Sequence, residues 1–168
     1  GGWRALRQHD LKLLMAQSTV SQLGFMVVLV GSGEEALIHA GMTLILAHAL
    51  YKSALFMVVG IVDHQAHTRD MRRLDGLGRA MPVVALAAVA SGASMAGIPP
   101  LLGFVAKEAA YQSLVDAGGT YLLVLAGVVA GSVLTFAYTA RFLWGGFADR
   151  GLGGRAGRGR LGRSEEVL

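Results

Sequence analysis

The sequence predicts an all-α, polytopic transmembrane helix bundle of about four spans, one of them broken. Of its 168 residues, 54% are hydrophobic and only 15% charged, which lies outside the ordinary soluble range. Four apolar segments each reach the about 20 residues needed to cross roughly 30 Å of hydrocarbon, and short turns rich in Gly, Asp and Glu separate them. The third segment is too long for one straight helix and carries two adjacent prolines. The absence of cysteine excludes a disulfide framework and a thiolate metal site.

The first span covers about 11–30, the second 36–62, the third 82–115 and the fourth 121–144. Together they form a membrane region, 11–145, between a polar flank, 1–10, and a Gly/Arg-rich tail, 146–168. The chain opens Gly-Gly-Trp and its first apolar segment lacks signal-peptide patterning, so it reads as a fragment or a processed chain.

Charge placement sets the expected orientation. The linker "HQAHTRDMRRLDGLGRA" holds Arg69, Arg72, Arg73 and Arg79, whereas the turns "GSGEE" and "DAGGT" hold acids and no base. Basic flanks mark the cytoplasmic side. The N-terminal flank, the linker and the tail after Arg141 are therefore expected inside, with Glu34, Glu35 and Asp116 outside. The tail is expected to be disordered. A positive-inside anchor accounts for its arginines without nucleic acid.

The third segment contains "AGIPPLLGF". At 1.5 Å per residue its roughly 34 residues would extend about 50 Å. Pro99 and Pro100 remove two backbone donors, and Gly97 and Gly103 loosen the turns around them, so the helix is expected to break near Ile98. A broken crossing and a re-entrant hairpin both fit; the hairpin would place the arginine-rich tail outside, so the crossing is preferred. Broken backbone at membrane depth must be shielded by protein or line a wet cavity, and it commonly marks an ion or substrate route.

Ionisable residues inside the spans are the candidate functional groups. A charge at the bilayer centre costs about 2.5 to 3.5 kcal/mol on insertion scales. His48 and Lys52, in "HALYKSALF", stand four apart and so share a helix face, roughly 6 Å from each other. Lys52 lies mid-span, beyond easy snorkelling, and reads as a group that can load and release a proton. A satisfied core histidine is the plainer reading of His48 alone. Lys107 and Glu108 follow the proline break; adjacent residues point about 100° apart, so each needs its own partner or water. Snorkelling at the outer interface is the alternative to a pathway role. "AQSTVSQLG" in the first span supplies Gln17, Ser18, Thr19, Ser21 and Gln22, read as polar glue between helices in preference to a water-chain lining. His39 reads as interfacial, and His64 with His67 lacks companions of metal-ligand spacing, so no metal is expected. No GxGxxG, P-loop, HExxH or catalytic-triad pattern occurs, and no cofactor is expected.

The ordered set "DLKLLMAQSTVSQLGF", "AHALYKSALF", "TRDMRRLDGLGRAMP" and "MAGIPPLLGFVAKE" resembles the antiporter-like membrane subunits. These include the large subunits of multi-subunit Na+/H+ antiporters of the multiple-resistance-and-pH type and the proton-pumping membrane subunits of respiratory NADH:quinone oxidoreductase. The details "VVGIVDHQAHTRD" and "SMAGIPPLLGFVAKE" are most similar to the A-type subunit of the Na+/H+ antiporters, since the respiratory subunits more often carry serine-lysine-aspartate where this chain has Ala106, Lys107 and Glu108. The resemblance covers about Asp10 to Trp144.

It implies a fragment of a larger inverted-repeat transporter fold, corresponding to the closing helices of its second repeat. By motif, Lys52 resembles the family's relay lysine, His48 the histidine of the same helix, and Lys107 the lysine of the second broken helix. Glu108 and Lys12 are further relay or gate candidates, Lys12 matching a basic position at the cytoplasmic start of its helix. Leu44 stands where some relatives have another histidine, and the first repeat with its glutamate/lysine pair is absent, so this fragment alone is not expected to transport ions. The implied function is monovalent cation/proton exchange, Na+ against H+, in a bacterial inner membrane beside other complex subunits, as part of an ion transporter and not as an enzyme. The alternatives are a proton-translocating subunit of NADH:quinone oxidoreductase or a related hydrogenase, and a non-conducting truncated membrane scaffold.

Overall fold

The computed structural model describes residues 1–149 and 151; the first two residues of the Gly/Arg-rich tail, Gly146 and Phe147, belong to the last helix, and of the tail expected to be disordered, 150 and 152–168 lie outside the described residues. Among the described residues seven helices follow in order: α1 (Gly2–Arg7), α2 (Leu11–Val30), α3 (Glu35–Ala66), α4 (Leu77–Ala80), α5 (Pro82–Ala96), α6 (Leu102–Ala117) and α7 (Tyr121–Phe147). Among the described residues there is no strand, only an isolated antiparallel pairing of Asp10 with Asp70. The all-α class read from the sequence is the observed one.

Three helices, α2, α3 and α7, are long and apolar enough to cross a membrane, while α5 is apolar but shorter. The third crossing is divided between α5 and α6. Pro82 occupies the first turn of α5, where its missing N–H costs no helical bond. At Gly97 the backbone turns left-handed, with φ +87°, a conformation glycine adopts without a Cβ penalty. The Gly97 N–H then bonds back to Ala93 and Ser94, and that of Ile98 to Ala93. Leu101 precedes the restart at Leu102 in extended conformation.

The smaller elements carry no local sequence signal. Asp10 caps α2, its carboxylate accepting from the backbone N–H of Lys12 at 2.8 Å and of Leu13 at 3.0 Å. Leu11 N–H donates to Arg69 and Met71 N–H to His9, so the N-terminal flank is pinned to the linker after α3. Arg69 adds ion pairs to Asp10 at 3.3 Å and Asp63 at 3.6 Å. At the other end, Tyr121 OH donates to the Ser32 carbonyl at 3.1 Å, and Tyr111 OH to Ser132 at 2.5 Å.

α3 packs against α2, α5 and α6, and α7 against α1, α2, α5 and α6. The interior divides into two apolar clusters. One gathers Leu11, Leu14 and Met15 of α2, Leu55, Val58 and Val62 of α3, Ala88 and Met95 of α5, and Phe142 of α7. The other gathers Phe25 and Leu29 of α2, Leu37 and Leu44 of α3, Ala106, Ala110 and Leu114 of α6, and Val128 of α7. α5 thus packs with one end of the bundle and α6 with the other, so the chain continues along the bundle across the break. Among the described residues the buried polar side chains include Ser18, Gln22, Lys52, Lys107, Thr135 and Thr139. Outward-facing Leu13, Val27, Leu86, Leu123 and Val133 are exposed, a surface suited to apolar surroundings and not to water.

Candidate functional site

Two lysines stand among these buried polar residues, each only 5% exposed. The Lys52 ammonium reaches across from α3 to α2, donating to the Met15 carbonyl at 3.2 Å and to the Ser18 hydroxyl. Ser18 in turn donates to Met15 O at 2.8 Å, and Thr19 to the same carbonyl at 2.9 Å. A hydroxyl at Ser18 is what lets a cation sit beside a mid-helix carbonyl whose own helical bond is already made.

Lys107 occupies the helix break. Its ammonium donates to Met95 O at 3.0 Å and Ala96 O at 3.1 Å. A helix end leaves its last four carbonyls without intrahelical partners. In α5 the backbone N–H groups of Gly97 and Ile98 take Ala93 and Ser94, and Lys107 takes the remaining pair. A cation there also meets the negative end of the helix dipole. The fit depends on glycine twice: a Cβ at Gly97 would press on Lys107 Cδ at 3.0 Å, and one at Gly103 would overlap the Ser94 carbonyl.

Among the described residues neither lysine has an ion-pair partner. Both positive charges are held by neutral oxygen dipoles. Such a site satisfies an ammonium but does not lock it charged as a carboxylate would.

His48 is only half-buried, and its partner is not Lys52. Its Nδ1 lies 3.4 Å from Tyr51 OH, and the two rings meet edge-on with centroids 5.4 Å apart. The shared face expected from the spacing exists, but the side chains diverge, Lys52 toward α2 and His48 toward Tyr51. Glu108 is exposed and accepts from Gln112 at 3.0 Å, on a different side of α6 from buried Lys107. Lys12 is exposed in the first turn of α2. His39 is exposed beside Glu35 at 3.7 Å. Among the described residues no cluster of three or more His, Cys, Asp or Glu could hold a metal.

The sequence reading missed Tyr51, Thr135 and Tyr138 as polar participants. Gln22 Nε2 donates to Thr135 Oγ1 at 2.9 Å and Tyr138 OH at 3.2 Å, while Tyr51 OH donates to Gln22 Oε1 at 3.3 Å. Thr135 and Tyr138 stand three apart on α7 and so share a face of that helix, and that spacing was the available signal.

A family model described as "NADH:quinone oxidoreductase/Mrp antiporter, TM" matches residues 1–135. The chain belongs to this family. Among relatives of this antiporter-family chain, the A-type Na(+)/H(+) antiporter subunit of Alkalihalophilus pseudofirmus is 39% identical over 82% of the chain and 20% of the relative. A probable K(+)/H(+) antiporter subunit of the A/B type, from Rhizobium meliloti, is 40% identical over 89% of the chain and 15% of the relative. A chain in the solved Mrp complex from Dietzia sp. DQ12-45-1b superposes with a TM-score of 0.77 at 49% identity, covering 85% of this chain and 16% of that one. The chain thus spans about a fifth of the length of the curated relatives it matches.

Proposed function

We propose that this chain forms a proton-conducting segment of a multi-subunit Na+/H+ antiporter, exchanging a monovalent cation for protons across a bacterial cell membrane beside other subunits. The observation that carries the reading is the pair of buried lysines, Lys52 and Lys107, each held by uncharged oxygens within the bundle. An ion-paired lysine is a structural charge; one solvated by carbonyls and a hydroxyl can be neutralised without stranding a buried carboxylate.

In this mechanism a proton moves along His48, Lys52, bridging water and Lys107, and the charge at each station biases the next. Lys107 sits where the broken backbone of α5 offers carbonyls to a cation, the arrangement by which discontinuous membrane helices form ion sites. The arginines of the linker and of the chain's ends favour the cytoplasmic face for those segments. Glu108 and Lys12, both exposed in this chain, serve as gate positions toward neighbouring parts of the transporter.

The test is Lys52→Ala and Lys107→Ala in the full-length subunit of the assembled complex, read as Na+-driven collapse of a pH gradient in vesicles. Each substitution is expected to lower exchange at least about tenfold, an effect within that of removing one proton-transfer group. Unchanged exchange in both variants, with normal assembly, overturns the relay.

A further inference from the structure

The hydrogen bonds around Gln22 have a direction that can be deduced atom by atom. Thr135 Oγ1 lies 2.9 Å from the Gly131 carbonyl. A carbonyl only accepts, so the single hydroxyl hydrogen of Thr135 is spent there. Toward its other neighbours Thr135 can therefore only accept. Tyr138 OH, 3.2 Å away, must donate to it, which spends the hydrogen of Tyr138 and leaves that oxygen as an acceptor. The end of Gln22 that faces both, at 2.9 Å and 3.2 Å, is then the amide NH2, whose two hydrogens match the two acceptors. Its carbonyl, Oε1, points the other way, to Tyr51 OH at 3.3 Å. Tyr51 has one hydrogen, and Gln22 Oε1 cannot supply any, so Tyr51 donates to Gln22 and turns a lone pair toward His48 Nδ1, 3.4 Å distant.

We infer that this chain of buried polar groups fixes the tautomer of His48. Nδ1 carries the hydrogen and donates to Tyr51, and Nε2 holds the lone pair that accepts a proton. Gln22, Tyr51, Thr135 and Tyr138 are positioning residues, acting on the proton route through His48 alone. All four are buried, so water does not offer alternative partners that would relax the direction of the bonds. When Nε2 takes a proton from water or from a neighbouring ammonium, the ring becomes imidazolium with hydrogens on both nitrogens. Nδ1–H still donates to Tyr51, and no bond in the network reverses. Loading and unloading Nε2 thus proceeds without reorganisation of the network, whereas proton uptake on Nδ1 would require Tyr51 and Gln22 to change partners. The tautomer assignment stands independently of transport; its role in proton movement rests on the relay proposed above.

The experiment is 15N nuclear magnetic resonance of the full-length subunit, labelled at histidine, in the assembled complex in lipid. His48 is identified by its loss in His48→Gln, and spectra are taken at a pH where its ring is neutral. The expected wild-type result is a hydrogen on Nδ1 and none on Nε2. A ring protonated on Nε2 overturns the inference, and needs no variant to do so. In Gln22→Leu, Tyr51 loses its acceptor and its hydrogen turns to Nδ1, so the ring is expected to move to the Nε2–H tautomer; persistence of Nδ1–H in an assembled variant also overturns the inference. Loss of the relay would instead show as unchanged exchange in Lys52→Ala and Lys107→Ala, whatever the tautomer.

Discussion

Lys107 completes the C-terminus of a helix to which it does not belong: its ammonium lies 3.0 Å from the Met95 carbonyl and bridges to Ala96. One side chain therefore performs two tasks, satisfying the last carbonyls of α5 and placing an ammonium in the buried interior of the bundle. The tasks separate by substitution. Lys107→Ala leaves buried carbonyls unpaired, at about 1–3 kcal/mol, and should lower both the melting temperature of the assembled complex and its exchange rate. Lys107→Arg keeps donors for the carbonyls but cannot release a proton. It should recover part of the lost stability while exchange stays low; recovery of exchange with arginine would show that capping alone is required.

Ser18 is the hydroxyl beside Lys52. Ser18→Ala removes one of the two oxygens that receive the ammonium and leaves Met15 O as the other. The stability cost should be about 0.5–1.5 kcal/mol, the worth of one net hydrogen bond. Exchange in vesicles should fall several-fold, less than in Lys52→Ala. Equal loss in the two variants would place Ser18 on the route itself.

Gly103 touches the backbone of α5 so closely that any Cβ would overlap the Ser94 carbonyl. Backbone cannot rotate away as a side-chain tip does, so α6 must shift. Gly103→Ala should cost about 1–3 kcal/mol through overpacking and displace Lys107 from its carbonyls. The measurement is thermal stability of the complex alongside exchange, and a variant indistinguishable from wild type in both would refute the close contact.

Much of the fold was legible because its signals are local. Apolar runs of spanning length, the glycine and proline cluster at 97–100 and the arginine-rich linker each act within a few residues. The division of the third crossing followed from Pro99 and Pro100, since missing donors end a helix wherever it lies. The site was legible by residue type only. Spacing placed His48 and Lys52 on one face, but the reach of Lys52 to Met15 and Ser18 on another helix depends on side-chain direction and packing that periodicity does not encode. Gln22 was readable as helix glue, whereas its partners Thr135 and Tyr138 lie over a hundred residues away in the chain. The short α1, the α4 turn and the Asp10–Asp70 pairing were missed because tertiary contacts hold them, α1 against α2 and α7, α4 against α5 and α7, and the flank against the linker, not propensity.

The linker itself carries a pH-dependent clasp. Arg72 grips Asp70 through two guanidinium nitrogens, Nε to Oδ1 at 3.0 Å and Nη2 to Oδ2 at 2.7 Å, and its backbone N–H adds a third bond to Oδ1. These bonds hold the Asp70 carboxyl below the usual carboxylate range. A carboxyl whose folded-state value is depressed stabilises the fold above its unfolded value, about 3.9, and loses that contribution as pH falls toward the folded value. Because the pair is exposed, salt screens it and its effect is small. Asp70→Asn should therefore increase proteolysis between α3 and α5 at neutral pH and low salt. The difference from wild type should shrink in high salt, and also as pH is lowered below about 4; a difference that instead grew with acid would show that Asp70 acts through something other than its charge.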